Sequence, residues 1–434
     1  MGKMSSITIT KSPTLLVGPS EPTPSGTVKL TGMDMALSAL PMAALFAFER
    51  PIDQPAETIR KALSQSLVLY YPIAGRLVAA VHDGIGIACT GDGVAFVAAS
   101  ASCGLREAML LDEDSSSPAI SLDELTVTFK RMYMEMGDSP LVMTQVTEFA
   151  CGGFVVSVTW NHAVADGVGM AQFLRAVGEV AGGGSSPTVI PVRWDSSLPE
   201  LPPAIVSSTA AMVSCQPGDY VSSHIKIPMS FINRVKSEFS HVAPSSPSPC
   251  SVFEVVVAAI WKCRARATMS IDGAGVDDPV ALVFTANVRK QAQAKPGYYG
   301  NCFGFQTIVA TRGEVANGGV VELVKRVKEA KERIPYTFEM AGGGGGGDRM
   351  MQEVAGVRQY DTLYVSSWWG LGFDDVDFGG GTAARVMYNL EWKVVPSCFL
   401  CGKKGKDGVG AMAFCVELEH AVPFHVELGR LGEK

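Results

Sequence analysis

The segment from Phe154 to Met170 constrains the fold of this chain more than any other part of the sequence. Its first half is dense in β-branched and aromatic residues, which is typical of a buried strand. His162 and Asp166 follow, and after Gly167 and Gly169 the apolar residues recur with a helical period. The pattern predicts a strand, a short loop and a helix, with the histidine and the aspartate in the loop. Functional side chains are often placed at the end of a rigid element in this way.

His162 and Asp166 are open to more than one interpretation. A histidine can accept and return a proton near neutral pH, and a nearby carboxylate can orient the ring or hold the loop. The structural alternative is a hydrogen-bonded histidine at a strand end and an aspartate that caps a helix. A metal site is not expected, because zinc needs three or four ligands and the nearest other histidine in the sequence is His224.

Length and composition limit the class of protein. A chain of 434 residues, 47% of them hydrophobic and 18% charged, is expected to form two globular domains. A net charge of −7 argues against nucleic-acid binding. No apolar stretch is long enough to cross a membrane, and no leader segment is evident, so a cytoplasmic location is expected. The ten scattered cysteines favour reduced thiols. No metal and no permanently bound cofactor are expected.

The sequence between Gly182 and Pro217 is rich in proline and serine and has little periodicity. It therefore predicts a crossover at residues 191–220 between an N-terminal domain, residues 1–190, and a C-terminal domain, residues 221–434. Mixed sheets with flanking helices are expected in both. Further predictions are a hairpin at the glycines 91 and 93, one helix over 314–331, and a surface loop at the six glycines 342–347.

Several short motifs occur in register along the whole chain. They are Tyr71-Pro72-Ile73-Ala74-Gly75-Arg76-Leu77, Trp160-Asn161-His162-Ala163-Val164-Ala165-Asp166-Gly167, Asn287-Val288-Arg289, Tyr298-Tyr299-Gly300-Asn301, Ser366-Ser367-Trp368 and Asp377-Phe378-Gly379-Gly380-Gly381. Together they resemble the BAHD family of plant acyl-CoA-dependent acyltransferases. Peptide-synthetase condensation domains share that fold, but usually carry two adjacent histidines where this chain has Asn161-His162. The segments 11–24 and 30–34 resemble a grass subgroup that uses benzoyl or hydroxycinnamoyl donors.

This resemblance implies an α/β fold with mixed sheets, built as two chloramphenicol-acetyltransferase-like domains with an active-site tunnel between them. It implies that His162 is the general base and that Asp166 pairs with Arg289, which could also be an ordinary exposed charge. Trp368 and the Ser366 hydroxyl would face the developing oxyanion, although the adjacent tryptophan, Trp369, could be the one that faces the site.

The second motif, Asp377-Phe378-Gly379, would shape the second domain and the CoA channel. In the family a tryptophan usually occupies the place of Gly380, so this chain lacks a large aromatic side chain there. Lys262 and Arg264 are candidates for contact with CoA phosphates, and a solvated helix end is an equal alternative. CoA binding residues are otherwise not assigned by the sequence.

The activity implied is transfer of an acyl group, benzoyl or hydroxycinnamoyl, from acyl-CoA to the hydroxyl or amine of a small plant metabolite. The enzyme would act as a monomer through a ternary complex, without nucleic acid or membrane as partner. The alternative is a catalytically weak CoA-binding or interaction protein that keeps the fold. The sequence does not identify the acceptor.

Overall fold

The computed structural model describes residues 7–80, 84–111, 119–127, 137–193, 198–199, 201–243, 248–271, 275–342, 356–389, 393–401 and 407–433. The chain divides into two compact units. The first comprises Met1–Glu200, Ala292–Cys302 and Trp368–Trp392, and the second comprises Leu201–Gln291, Phe303–Ser367 and Lys393–Lys434. No helix among the described residues is both long and apolar enough to cross a membrane.

Strands and helices are numbered here in chain order. The strands are β1 (Ile9–Lys11), β2 (Leu15–Val17), β3 (Thr27–Lys29), β4 (Pro41–Phe48), β5 (Arg76–Ala80), β6 (Gly84–Ala88), β7 (Val94–Ala101), β8 (Val142–Phe149), β9 (Phe154–Asn161), β10 (Ser223–Pro228), β11 (Pro279–Asn287), β12 (Phe303–Thr311), β13 (Thr362–Ser367), β14 (Arg385–Tyr388), β15 (Ser397–Leu400) and β16 (Gly408–Phe414). The helices are α1 (Gly32–Ala36), α2 (Pro55–Leu69), α3 (Gly167–Ala181), α4 (Pro203–Val213), α5 (Met229–Val242), α6 (Val252–Ile271), α7 (Arg312–Asn317), α8 (Val320–Glu332), α9 (Ile334–Gly342) and α10 (Leu418–Gly429).

The first unit is organised around β9. This strand lies inside a seven-stranded sheet of order β1-β7-β8-β9-β4-β14, with β2 also paired to β7. It runs antiparallel to both β8 and β4, and all eight of its residues are buried. The continuous run of β-branched and aromatic residues reflects burial on both faces. Helix α3 follows directly and buries Met170, Phe173, Leu174 and Val177. The predicted strand, loop and helix are therefore present.

The predicted hairpin around the glycines 91 and 93 is wrong. Strand β6 pairs with β3 and β5 in a separate three-stranded sheet, whereas β7 joins the seven-stranded sheet. Gly91 and Gly93 have φ of +72° and +95°, and a Cβ on Gly93 would lie 2.4 Å from the Val17 carbonyl oxygen. These glycines therefore carry the chain between two sheets and past β2, rather than back along the same sheet.

Two segments from the second half of the chain belong to the first unit. Strand β14 pairs antiparallel with β4, the neighbour of β9, in register Val386 with Phe46. Residues 292–302 also belong to this unit. The predicted domains were continuous stretches with a boundary at 191–220, and the contact units differ from them in these two segments. A short apolar strand such as β14 carries no signal for the sheet that it joins.

The second unit contains a six-stranded sheet of order β10-β16-β15-β13-β11-β12. Its centre is mixed, because β13 runs parallel to both β11 and β15, while β11 and β12 are antiparallel. Helix α6 packs against α10, α7 and α8. The helix predicted over 314–331 is divided into α7 and α8 at Gly318 and Gly319, and Thr311 begins α7 with a capping box to Glu314.

Helix α4 lies in the proline- and serine-rich segment where no helix was predicted. Its proline at the first position fits a helix start, but its sequence offers almost no polar face from which a period could be read. The predicted glycine loop begins at Gly342, the last residue of α9, and residues 343–347 lie outside the described part of the chain.

Candidate active site

His162 is the first residue after β9 and lies within the first unit. Its backbone N–H donates to the carbonyl oxygen of Leu40 at 2.9 Å, which continues the pairing with β4 by one residue. The side chain is almost completely buried, with 7% exposed. The main chain at His162 is therefore fixed by its pairing beyond the end of β4.

The loop from His162 to Asp166 is held by all five of its backbone carbonyls. The His162 carbonyl accepts from Asn301 Nδ2 at 2.7 Å, and the Ala163 carbonyl accepts from Arg193 Nη2 at 2.8 Å. The Val164 carbonyl accepts from the same guanidinium, the Ala165 carbonyl from Trp160 Nε1 at 3.0 Å, and the Asp166 carbonyl from the Met170 amide at 2.9 Å. Every acceptor in the loop therefore has a fixed donor, as buried polar backbone requires.

Behind this loop lies a buried group formed by Asp34, Arg193 and Asn301. The Asp34 carboxylate is 3.2 Å from Arg193 Nη2, and neither side chain has exposed surface. Its second oxygen accepts from Asn301 Nδ2 at 2.7 Å. Burial is the largest single influence on the pKa of Arg193 and acts to lower it, but Asp34, Tyr298, Tyr299 and Asp166 together outweigh it. The pKa is therefore raised, and the guanidinium stays charged. The charged pair and the amide together connect three distant parts of the chain to the loop.

Asp166 is the N-cap of α3, and its carboxylate binds backbone amides. One carboxylate oxygen accepts from the Gly169 amide at 3.0 Å, and the other accepts from the Cys302 amide at 3.0 Å. The segment that ends in Cys302 comes so close to the helix that a Cβ on Gly169 would be 1.7 Å from the Tyr299 carbonyl oxygen. Gly169 is therefore needed for close backbone approach, and Asp166 joins the helix to that segment.

The burial of His162 affects the ionisation of its imidazole. Burial lowers its pKa from the usual 6.5, and the His162 carbonyl, Asp166, Asn301 and Asp34 oppose this shift without reversing it. The ring is therefore neutral at pH 7 and able to accept a proton.

Trp368 lies in the first unit, close to the start of α3. Its ring is 4.9 Å from that of Phe373 and 5.1 Å from that of Tyr388 in an edge-on contact, and 4% of it is exposed. Phe373 in turn packs near Gly167, whose added Cβ would be 3.6 Å from the ring. Trp368 is therefore separated from the beginning of α3 by a single aromatic ring, while Trp369 is half-buried.

The Asp377-Phe378-Gly379 motif also lies in the first unit, not with the second-domain residues it was predicted to shape. Asp377 Oδ1 accepts from the amides of Gly379 at 2.7 Å and Gly381 at 2.8 Å, and Phe378 packs edge-on against Phe48. The Gly380 position has no room for the tryptophan usual in the family. A Cβ there would lie 2.9 Å from the Ile52 side chain and 3.1 Å from the Arg50 carbonyl oxygen.

Ser366 and Arg289 lie in the second unit. The Ser366 hydroxyl accepts from Thr285 Oγ1 at 3.4 Å across β13 and β11. Arg289 follows β11 by two residues and is half-buried, and its amide donates to Asn287 Oδ1 at 3.0 Å. The pairing of Arg289 with Asp166 and the placing of Ser366 at the reacting carbonyl stay predictions.

Lys262 and Arg264, the candidates for CoA phosphate contact, are engaged inside the second unit. Arg264 is buried, donates to the carbonyls of Cys415 at 2.7 Å and Tyr360, and lies 4.8 Å from the centre of the Tyr360 ring. Lys262 donates to the Gly318 carbonyl. A phosphate contact from Arg264 would require these bonds to break, so its position favours a structural role over either sequence-based alternative.

Sequence reasoning missed Arg193 and the role of Asp34. Arg193 lies in the predicted crossover, where no periodic pattern gives it a place. Asp34 carries one usable signal, since Thr31 and Asp34 form a capping box at the start of α1. That signal predicts a helix start, and it says nothing of the buried arginine that the same carboxylate binds.

A family model described as the Transferase family matches residues 6–422 of this chain, almost its whole length. The chain belongs to the Transferase family, the BAHD acyltransferases. It is 39% identical over 449 residues to Acyl transferase 15 of Oryza sativa subsp. japonica, a match that covers 98% of this chain and 99% of that relative. The predicted assignment to the family and to the acyltransferases is confirmed.

One further relative agrees with this family assignment, and one solved structure agrees with the fold. Myricetin 3-O-glucosyl 1,2-rhamnoside 6'-O-caffeoyltransferase AT1 of Crocosmia x crocosmiiflora is 32% identical, over 98% of this chain and 99% of the relative. The crystal structure of F. graminearum TRI101 complexed with ethyl coenzyme A superposes with a TM-score of 0.66 at 16% identity, covering 92% and 96% of the two chains. The second likeness concerns the fold alone, and it confirms the predicted mixed α/β acyltransferase fold.

Proposed function

We propose that this chain transfers an acyl group from acyl-CoA to the hydroxyl or amine of a small plant metabolite, with His162 as the general base. The observation that carries the proposal is a buried, neutral imidazole at the end of β9, on a loop whose five carbonyls are all held. A base in this position typically contributes about 10²–10⁴ to the rate. The ethyl coenzyme A in the TRI101 crystal structure supports the choice of donor.

In the proposed reaction, His162 removes the proton from the acceptor as its oxygen or nitrogen attacks the thioester carbonyl. The tetrahedral intermediate then collapses with cleavage of the carbon–sulfur bond, and the proton passes from the imidazolium to the departing CoA sulfur. Trp368 and Ser366 are proposed to stabilise the oxyanion, a contribution worth about 3–4 kcal/mol when one donor is removed. Asp166 contributes by holding the loop, because both of its oxygens accept backbone amides.

The acyl group is proposed to be aromatic, benzoyl or hydroxycinnamoyl. The caffeoyltransferase relative supports this choice, because a caffeoyl group is a hydroxycinnamoyl group. A catalytically weak CoA-binding protein is the rival proposal. It is disfavoured because His162 is buried and neutral, and because its loop is held by residues from distant parts of the chain. A protein without catalytic activity would not require this arrangement.

The reaction is proposed to pass through a ternary complex rather than an acyl-cysteine. Cys302 is buried and its amide is bound to Asp166, and Cys151 is exposed at the turn between β8 and β9. Neither cysteine has a histidine and an orienting group at the sequence spacing of a nucleophile motif. Intersecting double-reciprocal plots and activity after Cys302→Ala and Cys151→Ala are expected, whereas parallel plots with an acylated cysteine would overturn the mechanism.

We further propose a cytoplasmic monomer. All ten cysteines are described as thiols outside any disulfide, which supports a reducing compartment. Gel filtration with light scattering and localisation of a fluorescent fusion test these two statements separately.

The deciding experiment is an acyl-transfer screen by mass spectrometry. The purified chain is incubated with acetyl-, benzoyl- and 4-hydroxycinnamoyl-CoA, each against a panel of alcohols and amines. Product is expected from at least one aromatic donor, and His162→Ala should lower the rate more than about a hundredfold with an unchanged circular dichroism spectrum. A rate close to the parent's in that variant would remove His162 from the mechanism.

The proposed pairing of Asp166 with Arg289 has its own test. Removing one partner of a buried ion pair costs about 3–5 kcal/mol, and the loss in the double variant should then be smaller than the sum of the single losses. Strict additivity of Asp166→Ala and Arg289→Ala in urea unfolding would show that the two side chains do not interact.

A further inference from the structure

A pocket in the second unit, on the sheet face beneath helix α4, is not used by the site described above. It has a volume of about 190 Å³ and lies between α4 and the strands β11, β12 and β13. One stripe of α4 and the residues after it, Ala211, Met212 and Cys215, form its roof, and Val283, Phe305 and Tyr364 form its floor. An apolar cavity of about 150 Å³ is known to bind benzene, so this pocket has room for a single substituted aromatic ring.

The chemistry of the lining also fits an aromatic ring. Phe305 offers a ring face or edge, and the Met212 thioether makes favourable contacts with aromatic rings. Most of the polar groups in the lining are already engaged with backbone carbonyls. Ser208 donates to Ala204 at 2.9 Å, Thr362 to Arg358 at 3.3 Å, and Gln359 to both Gln216 and Val394 at 2.8 and 2.7 Å.

The Tyr364 hydroxyl differs from those groups. Within the described part of the chain, the structure records no hydrogen bond from this hydroxyl. Burial raises its pKa to about 12, so it stays protonated and able to donate or accept a hydrogen bond. A polar substituent on a bound ring would therefore find one suitable partner at the edge of an otherwise apolar pocket.

The position of the pocket connects it to the proposed chemistry. Side chains alternate along a strand, so Thr362, Tyr364 and Ser366 share one face of β13, and Ser366 lies about 7 Å beyond Tyr364. Thr285 on β11 lies on the same face of the sheet, because its hydroxyl contacts Ser366. If the thioester carbonyl lies near Ser366, a ring attached to it through a short unsaturated spacer would reach the pocket.

We propose that this pocket binds the aromatic ring of a 4-hydroxycinnamoyl donor, with the ring hydroxyl at Tyr364 and the thioester carbonyl toward Ser366. The inference rests on the proposed function for the position of the carbonyl, and it makes Ala211, Met212 and Tyr364 determinants of donor choice. Binding of the ring in the pocket can be measured without turnover.

The first test uses Cys215 as a reporter of occupancy. Alkylation of Cys215 by iodoacetamide is followed by peptide mass spectrometry at pH 8.5, and the exposed Cys151 in the first unit serves as internal control. Saturating 4-hydroxycinnamate should slow alkylation of Cys215 at least fivefold and leave Cys151 unchanged, while acetate should affect neither. Equal rates at Cys215 with and without 4-hydroxycinnamate would overturn the proposal.

The second test fills the pocket with a side chain. Ala211→Phe adds a ring inside it, and Ala210→Phe places the same ring on the exposed side of the same helix. We expect Ala211→Phe to raise KM for 4-hydroxycinnamoyl-CoA at least tenfold, to leave KM for acetyl-CoA within twofold, and Ala210→Phe to change neither. Equal losses for the two donors, or no loss, would contradict the assignment of the pocket.

Tyr364→Phe tests the orientation of the ring and keeps the proposal testable if Ala211→Phe does not fold. Loss of one neutral hydrogen bond should reduce the preference for 4-hydroxycinnamoyl-CoA over cinnamoyl-CoA by about threefold to tenfold. An unchanged preference would overturn the contact with Tyr364. Absence of turnover with every donor in the unaltered chain would refute the proposed function, and the Cys215 measurement would still decide whether the ring binds.

Discussion

Two short loops lie next to helix α3, and they are held in opposite ways. Three of the five carbonyls in the loop from His162 to Asp166 are held by distant residues, namely Asn301, 139 residues away, and Arg193. The turn from Asp377 to Gly381 is held by itself, through one carboxylate oxygen that accepts two amides within four residues. The first loop carries the proposed base and depends on residues that are distant in the sequence. The second is a turn whose hydrogen bonds are formed within the turn itself.

The largest effect is expected from Arg193→Met. The variant leaves the buried Asp34 carboxylate without its cation and removes the donors to two loop carbonyls. Uncompensated buried charges cost about 3–5 kcal/mol, so a large loss of stability in urea unfolding and a loss of acyl transfer should appear together. The matched variant Asp34→Asn combined with Arg193→Met should lose less than the sum of the two, because both members of the pair are then neutral. An effect below about 1 kcal/mol for Arg193→Met would contradict external support of the loop.

A second prediction compares glycines along α3. Gly169→Ala would bring a Cβ to 1.7 Å from the Tyr299 carbonyl oxygen, and Gly178→Ala would bring one to 2.3 Å from the Asp377 carbonyl oxygen. Overpacking usually costs about 1–3 kcal/mol, and backbone partners place both variants at the upper end. Gly169→Ala should also lower kcat/KM, while Gly178→Ala should mainly lower the melting temperature. Gly182→Ala is the control, since its nearest neighbouring atom is 3.5 Å away. Equal losses of kcat/KM in the two variants would remove the distinction between the loops.

The smallest effect is expected at Asp377. Asp377→Asn keeps an acceptor oxygen for both amides, so stability should change by less than about 1 kcal/mol and kcat/KM by less than twofold. Asp377→Ala removes both hydrogen bonds, which are worth about 0.5–1.5 kcal/mol each, and should lower the melting temperature without a selective loss of rate. If Asp377→Asn abolished transfer instead, the turn would have a role in the chemistry that its geometry does not indicate.

The same contrast explains how far the sequence could predict the molecule. Strand β9 and helix α3 were predictable because local composition and period report which face is buried. The partner of a buried face is not encoded locally. The predicted hairpin therefore joined β6 to β7, which lie in different sheets, and no local pattern showed that β14 pairs with β4. Helix α4 was missed because it lacks a polar face, and with it the pocket that it covers.

The candidate site shows the same limit. His162 and Asp166 were identified because their motif is contiguous. Arg193 was missed because a single arginine in an aperiodic segment carries no signal until Asp34 and the loop carbonyls lie around it. Residues that support a site from a distance are found by their contacts, and those contacts are properties of the fold rather than of any short stretch of sequence.

The ionisation of His162 tests the central claim most directly. Nitrogen NMR of the protein with labelled histidine, with His162→Gln to identify the resonances, reports the charge of the ring as pH is varied. Because burial lowers the pKa in the folded chain, the ring should be neutral at pH 7 and titrate below the usual 6.5. Stability that is complete above pH 6.5 should then be lost as pH falls toward the folded-state pKa, since the unfolded chain takes up the proton first. The acid limb of kcat/KM should follow the same titration. A ring that is protonated at pH 7, or that titrates above 6.5, would contradict a neutral base held ready by the loop.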